Sequence, residues 1–386
     1  MQVSVIILNY NVRYFLELCV LSVEKAIQNL NAEIIVIDNN SSDDSCEMMK
    51  QRFPNIKLIE NKENSGFPKG NNIAVKEAKG EYICILNPDT VVAEDTFEKI
   101  LAFAKSKTDL GIIGCKLIDG TGNFLPESKR GIPTPWVAFT KIFGLYKLFP
   151  KSVLFNKYYA QHLDQNQTGK VDILVGAFMV MKRELYNHLE GFDENCFMYA
   201  DDIDLSYRAL LLHKQNYYFH ETTVIHYKGE STVKDATYMN HFRDFLNFFY
   251  KKHFKQSLFF NLMARLGAFY FSIVKLFQGK PKAKIPPNQY ILISDNENIR
   301  ERLEAKLQKN TARTILENGK IVFSQTFSKQ KNREVILDTN YLSFKDVISF
   351  FEKNKNKSFT LKLLPIQSNF IIGSNSSNDR GEVINL

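Results

Sequence analysis

The sequence predicts an α/β protein: a doubly wound, mostly parallel sheet, then a basic aromatic helical segment, then a smaller α/β unit. Three observations predict it. Val3–Leu8, Ile34–Ile37 and Tyr82–Leu86 are short, nearly all-apolar runs, and such a run reads as a strand covered on both faces, as in parallel sheets. Each run stops at a polar cluster rich in Asn, Asp or Pro, residues that end strands and open turns. Between runs lie stretches with apolar residues at helical spacing, for example Leu16, Val20, Val23, Ile27 and Leu30. Strand, helix, strand, loop, strand, helix, strand is the order of a doubly wound sheet.

In chain order, Val3–Leu8 is closed by Asn9-Tyr10-Asn11. Ile34–Ile37 ends at Asp38-Asn39-Asn40-Ser41-Ser42-Asp43-Asp44, which serves as both loop and supply of helix caps. Ile56–Glu60 is a third strand, and Asn64-Ser65-Gly66-Phe67-Pro68-Lys69-Gly70-Asn71-Asn72 opens a helix to about Ala78. Tyr82–Leu86 stops at Asn87-Pro88-Asp89. Proline cannot donate to a ladder and biases the preceding residue toward extended backbone, so Asp89 falls just past the end of a central strand. In open α/β sheets ligands bind at that edge. Further on, Thr96–Lys105 reads as a helix and Ile112–Leu117 as a strand. Val171–Lys182 is an apolar run holding Gly176, a residue that in such a run marks close approach by a ligand or backbone. Asp201, Asp202 and Asp204 open a helix, where the dipole favours negative charge. Tyr217–Ile225 alternates as a strand ending at His226.

Two stretches stand apart. Lys129–Tyr159 carries three prolines, the only tryptophan (Trp136), many aromatics and six cations; it reads either as a basic, aromatic excursion beside the cleft or as an ordinary α-hairpin with a solvated basic face. Phe242–Lys284 is apolar and basic. Asn261, Arg265 and Lys275 interrupt it, so it suits the plane of an anionic membrane surface better than a span. Pro281, Pro286 and Pro287 mark a linker, and strand and helix patterns resume to the C-terminus, with a Ser/Asn-rich tail expected to be loosely ordered. The expected boundaries are 1–240, 241–284 and 285–386.

The chain has 386 residues and a net charge of +8, with a pI near 9.0. That balance fits nucleic acid, an anionic membrane or anionic substrates. The cations cluster with aliphatic and aromatic runs, which favours lipid, and no nucleic acid is expected. Five scattered cysteines without a Cys-x-x-Cys pair predict buried thiols in a reducing compartment. Met1 runs straight into a strand with no signal-like segment, which predicts a cytoplasmic protein.

The polar strand ends form a constellation. Asn9 and Asp38 suit a base and ribose. The loop from Asn64 to Asn72 has the glycines (Gly66, Gly70) to approach phosphate or ribose with its backbone. Asp89 is a candidate for a divalent cation and His226 for a second ligand or a contact to a diphosphate, while Asp201 and Asp202 supply a carboxylate base. The motifs VSVIILNYN, IIVIDNNSSDDS, NSGFPKGNN, ICILNPDT, VGAFMVMKRELYNHLEGFDENCFMYADDIDLSYR and VIHYKGEST, in that order from about Val3 to Thr232, resemble the family-2 glycosyltransferases of the GT-A fold, and within them the bacterial rhamnosyltransferase-like branch. Two departures show. The metal motif is Asn87-Pro88-Asp89 rather than Asp-x-Asp, and the base motif is Asp201-Asp202 rather than Glu-Asp.

The resemblance implies an inverting transfer from a nucleotide-diphospho-sugar donor, dTDP- or UDP-linked, to a saccharide acceptor, with Mn²⁺ or Mg²⁺. It implies Asp202 as base, with Asp201 beside it, and Asp89 and His226 at the cation. Asp38 would hold the pyrimidine; Asn9, Tyr10, Asn64, Gly66, Gly70, Asn71 and Asn87 would complete the nucleotide pocket. The basic aromatic segments suit a lipid-linked acceptor at an anionic membrane surface. Two rivals fit less well. A sugar-nucleotide pyrophosphorylase needs a glycine-rich loop after the first strand, and Asn9–Phe15 has no glycine. A non-catalytic scaffold has no use for Asp89, Asp202 and His226 together.

Overall fold

A computed structural model describes residues 1–149, 152–195, 201–228, 248–254, 286–317, 320–321, 332–355, 357–375 and 380–386. The first strands form where the apolar runs predict: β1 (Val3–Asn9), β2 (Ala32–Asp38), β3 (Lys57–Glu60) and β4 (Tyr82–Leu86). β1 is wholly buried, which is why its run shows no alternation. Then come β5 (Thr90–Val91), β6 (Leu110–Ile118), β7 (Gly169–Val171), β8 (Phe178–Lys182) and β9 (Gln215–His226). The sheet order is β3-β2-β1-β4-β8-β6-β9-β5, with β7 also on β9. The half built from β3, β2, β1 and β4 is parallel throughout. The other half is mixed: β8 runs antiparallel to both β4 and β6, whereas β6 and β9 are parallel. The run Val171–Lys182 thus holds the end of one strand, a turn and a second strand.

Helices α1 (Arg13–Ile27), α2 (Ser45–Arg52), α3 (Gly66–Lys76) and α4 (Thr96–Lys105) cover the sheet. The excursion after β6 contains α5 (Pro135–Ile142), started by Pro135 and capped by the Thr134 side chain, which accepts from the Val137 amide, and the single turn α6 (Leu145–Leu148). α7 (Arg183–His188) and α8 (Asp201–Leu211) follow.

A second sheet has the order β11-β10-β14-β15-β16-β17: β10 (Gln289–Ile293), β11 (Thr311–Thr314), β14 (Arg333–Asp338), β15 (Phe359–Leu364), β16 (Phe370–Gly373) and β17 (Glu382–Asn385), with a small β12 (Leu316–Glu317)–β13 (Lys320–Ile321) ribbon between. Its first four strands are parallel and its last two antiparallel. α9 (Glu297–Leu307) and α10 (Phe344–Asn354) serve it. Of the tail expected to be loose, residues 376–379 lie outside the described residues, and the chain after them forms β17, which pairs with β16 over four residues.

The two sheets share a core. One apolar cluster runs from Val5, Leu16 and Cys84 through Tyr227 to Val335, Phe351 and Ile372. At its boundary Tyr14 meets Phe370 edge-on, ring centroids 4.8 Å apart. Arg52 pairs with the buried Glu17 of α1 and donates to the Ile366 carbonyl at 3.1 Å. Glu94 accepts from the Phe344 and Lys345 amides at 2.7 and 2.9 Å, occupying the positive end of α10. Among the described residues no helix is long and apolar enough to cross a membrane. Of Phe242–Lys284, only residues 248–254 are described; the predicted membrane-surface helix otherwise lies outside the described residues. The four described cysteines are free, with Cys19, Cys84 and Cys115 buried.

Candidate active site

Sheet register brings the polar strand ends together. β1 and β2 pair so that Asn9 lies opposite Asp38. The Asn9 Nδ2 donates to Asp38 Oδ1 at 2.7 Å and to the Ser41 hydroxyl at 3.1 Å. Asp38 also accepts from the Ser41 hydroxyl and amide. Its carboxylate is therefore spent mainly on its own turn. The Cys46 thiol, half-buried, is pushed up to about 12 by burial and by the Asp38 and Glu60 carboxylates. The Asn9 Oδ1 is buried with no hydrogen-bond partner among the described residues, and so is the Asn71 Oδ1, whose amide donates back to the Phe67 carbonyl at 2.9 Å. An orphaned buried acceptor is costly enough to need a reason. Tyr10 is half-buried at the end of β1 and Asn64 exposed, its side chain accepting from the Gly66 amide at 3.1 Å. Gly70 is fixed by packing: a Cβ there would fall 2.4 Å from Leu8 Cδ1.

β5 and β9 pair antiparallel with Thr90 opposite His226. That ladder, not sequence proximity, places the Asp89 Oδ1 3.4 Å from His226 Nε2. The Asn87 side-chain amide lies 3.4 Å from the same nitrogen. Both Asp89 and His226 are buried, and His226 Nδ1 has no partner among the described residues. Among the described residues no cluster of three His, Cys, Asp or Glu side chains is gathered for a metal. The pair nevertheless fits a hard divalent cation. Two donors at about 2.1 Å from one ion and roughly at right angles lie about 3 Å apart, and such an ion commonly takes one or two protein ligands, completing its shell with phosphate oxygens and water. Beyond His226, Lys228 pairs with Glu127. Burial alone would push the Glu127 carboxyl up, but the Lys228 ammonium holds it below its ordinary range.

Asp202 lies in the first turn of α8, 9% exposed. Its Oδ2 accepts from Arg130 at 2.6 Å and from the Gly176 amide at 3.0 Å; among the described residues no bond falls on Oδ1. The neighbouring Ala177 carbonyl accepts from the Asn87 amide at 3.0 Å. One strand entry, residues 176–178, therefore joins the Asp202 carboxylate to the Asn87-Pro88-Asp89 turn, and both carboxylates stand at the same sheet edge. At Gly176 a Cβ would meet Asp202 and Phe67 only at ordinary contact, 3.5 and 3.6 Å. Protein packing does not require the glycine. Asp201 is buried beside it, at the start of α8. Asp204 faces the other way: burial would raise its carboxyl, but His253, Arg208 and Lys252 hold it down at about 2.

Sequence reasoning missed the residues that hold these loops. Asn39 accepts from Asn61 at 2.7 Å and from the Ser65 hydroxyl, and donates to the Gly66 carbonyl, so it shapes the loop at the start of α3. Asn72 donates to the Phe192 carbonyl and Glu194 and accepts from the Phe192 amide and the Tyr186 hydroxyl, tying α3 to the turn that precedes α8. Arg130 read only as part of a basic run. Nothing in the sequence distinguishes these from their neighbours, because their partners lie far along the chain.

Residues 4–190 match the family model described as glycosyl transferase family 2. The chain carries a family-2 glycosyltransferase domain. Over 213 residues, 52% of this chain and 68% of the relative, it is 24% identical to the N-acetylglucosaminyl-diphospho-decaprenol L-rhamnosyltransferase of Mycobacterium tuberculosis. Over 221 residues, 53% of this chain and 78% of the relative, it is 28% identical to the rhamnosyltransferase WbbL of Escherichia coli. A solved mannosyltransferase from Pyrobaculum calidifontis, in complex with GDP-Man and Mn²⁺, overlays 72% of this chain and 76% of its own at 16% identity and a TM-score of 0.46. The family-2 match ends before α8, so Asp201, Asp202 and His226 lie beyond the matched residues.

Proposed function

We propose that this family-2 glycosyltransferase moves a sugar, with inversion, from a UDP- or dTDP-linked donor to a lipid-linked saccharide acceptor in cell-surface polysaccharide assembly, working at the inner face of a bacterial cytoplasmic membrane. The observation that carries the reading is the joining of the Asp202 carboxylate and the Asn87-Pro88-Asp89 turn through residues 176–178 at one sheet edge. A single displacement needs those two functions within one sugar's reach: a base on the acceptor side and charge neutralisation on the leaving side. The rhamnosyltransferases among the relatives support a deoxyhexose donor, and the diphospho-decaprenol acceptor named for the mycobacterial enzyme supports the lipid.

In this reading Asp202, through Oδ1, takes the proton of the acceptor hydroxyl as that oxygen attacks the anomeric carbon. The bond to the donor diphosphate breaks on the opposite face, and its electron pair stays on the phosphate oxygen. Arg130 and the Gly176 amide hold Oδ2 and so aim the other oxygen. Asp89 and His226 would hold Mn²⁺ or Mg²⁺, which when bound neutralises charge building on the diphosphate. The orphaned amide oxygens of Asn9 and Asn71 are acceptors suited to donors on the base or ribose, with Asp38, Tyr10, Asn64, Gly66, Gly70 and Asn87 around them; Asp201 supports the α8 start. A screen of nucleotide sugars by thermal shift with Mn²⁺ tests this, since a ligand bound only by the native state raises its apparent stability. A UDP- or dTDP-sugar should raise the midpoint in a Mn²⁺-dependent way; a flat response across both nucleotide classes would refute the donor assignment.

A further inference from the structure

The described residues expose nine large apolar side chains, and five of them (Trp136, Leu148, Phe149, Val153 and Leu154) belong to the excursion after β6. Leu148, Val153 and Leu154 are 69, 72 and 63% exposed. This is not loose packing. Trp136 Nε1 donates to the Leu154 carbonyl at 2.9 Å. The rings of Trp136, Phe155 and Phe149 form a chain with centroids 5.9 and 5.3 Å apart. The patch is thus continuous, preformed and apolar outward.

Its charge is one-signed. From Lys129 to Ala160 there are six cations and no acid; Lys147 and Lys157 are exposed beside the patch. A second copy of this chain is a poor occupant, because a self-complementary interface would set lysines against lysines with no carboxylate to meet them. An anionic surface with an apolar interior meets both features: acyl chains take the Leu, Val and Phe side chains, the headgroup level suits tryptophan, and acidic headgroups pair the lysines.

The stem of the excursion is fastened to the candidate base. Arg130 bonds Asp202 and the Leu174 carbonyl. Lys129 donates to the Tyr159 and Ala160 carbonyls at 3.2 and 3.1 Å, closing the loop at its neck. Lys141 donates to the Tyr158 hydroxyl at 2.6 Å. The segment that carries the outward patch is thus hydrogen-bonded at its neck to the inward carboxylate.

We infer that residues 133–149 and 152–155 form the surface on which the protein settles on an anionic bilayer, so that the acceptor's lipid enters beside Asp202. This rests on the reading of the acceptor as lipid-linked. It differs from the sequence-based expectation, which gave membrane contact chiefly to Phe242–Lys284.

The test is flotation of the full chain with vesicles of equimolar phosphatidylcholine and phosphatidylglycerol, and with phosphatidylcholine alone, at low and high salt. Two variants accompany it: Leu148→Ser/Phe149→Ser/Leu154→Ser, and Lys147→Glu/Lys157→Glu. The wild type should float with the anionic vesicles and not the neutral ones. The serine variant should lose about tenfold or more of its partitioning with melting close to wild type, since all three side chains are more than half exposed and only Phe149 gives up a ring contact, with Phe155. The glutamate pair should lose most anionic-vesicle binding, and its salt dependence with it. The idea is overturned if the wild type stays at the bottom of the gradient, if both variants float like wild type, or if light scattering shows a wild-type dimer that the serine variant dissolves. Mn²⁺-dependent thermal shift by UDP- or dTDP-sugar, run on the same samples, separates the two claims: its loss in wild type strikes the donor reading, and its survival with failed flotation strikes only the surface.

Discussion

Replacing Asp202 by asparagine removes a negative charge from a place where two neighbours are arranged for it. Arg130 lies 2.6 Å from its Oδ2, with both side chains about nine-tenths buried. Leaving a buried guanidinium without its partner costs about 2–4 kcal/mol, less than for fully buried pairs because some water reaches this one. Losing a general base costs about 10²–10⁴ in turnover, or about 3–5 kcal/mol of barrier. The two effects overlap in Asp202→Asn, which would be slow whether Asp202 is a base or merely Arg130's partner. The double variant Arg130→Met/Asp202→Asn separates them. It removes both charges from the interior, so stability should return to within about 1 kcal/mol of wild type. Turnover should stay down by the same 10²–10⁴ if the carboxylate is the base. Chemical denaturation and single-turnover sugar transfer measure the two quantities on the same samples. Recovery of turnover along with stability in the double variant, or wild-type turnover in Asp202→Asn, would refute the assignment.

Asp89→Ala and His226→Ala should each weaken Mn²⁺-dependent donor binding by tenfold or more, in the range of about 10–100-fold for a lost metal-site partner. The double variant should lose little further if one ion joins them; additive losses in a titration with UDP or dTDP would count against a shared ion. Asp204, held down at about 2 from an ordinary 3.8, contributes about 2 kcal/mol that is fully present above pH 4 and lost as pH falls through 2. Asp204→Asn should therefore be less stable than wild type at neutral pH and converge with it near pH 2; a constant gap in urea midpoints across that window would show the charge is not responsible.

How much of this was legible depended on the range of the contact. The buried strands and their polar ends read directly from composition, because Val, Ile and Leu runs stopping at Asn or Asp report local backbone. Asn9 and Asp38 read as strand ends, but their standing opposite each other comes from the register of β1 on β2. The β5–β9 ladder did not follow: Thr90–Val91 is two residues long and its partner lies 136 residues on. The antiparallel course of β8 was hidden because VDILVGAFMVMK is apolar on both sides of its turn. Asn39 and Asn72 sit in Asn-rich loops where nothing separates a scaffold residue from a pocket residue, and Asn71, its neighbour, drew the attention. Asp38, expected at the base, spends its oxygens on Ser41 and Asn9.

The carboxylate of Glu94, resting on the first amides of α10 from a position 250 residues earlier in the chain, has a mechanical meaning. Glu94 is five residues past Asp89, and Lys345 grips Asp95 beside it at 2.7 Å. The segment leaving the Asn87-Pro88-Asp89 turn is thereby nailed down by a helix 250 residues further along the polypeptide. Slowly exchanging amides along residues 90–96 would serve as a gauge of how firmly that distant sheet is folded.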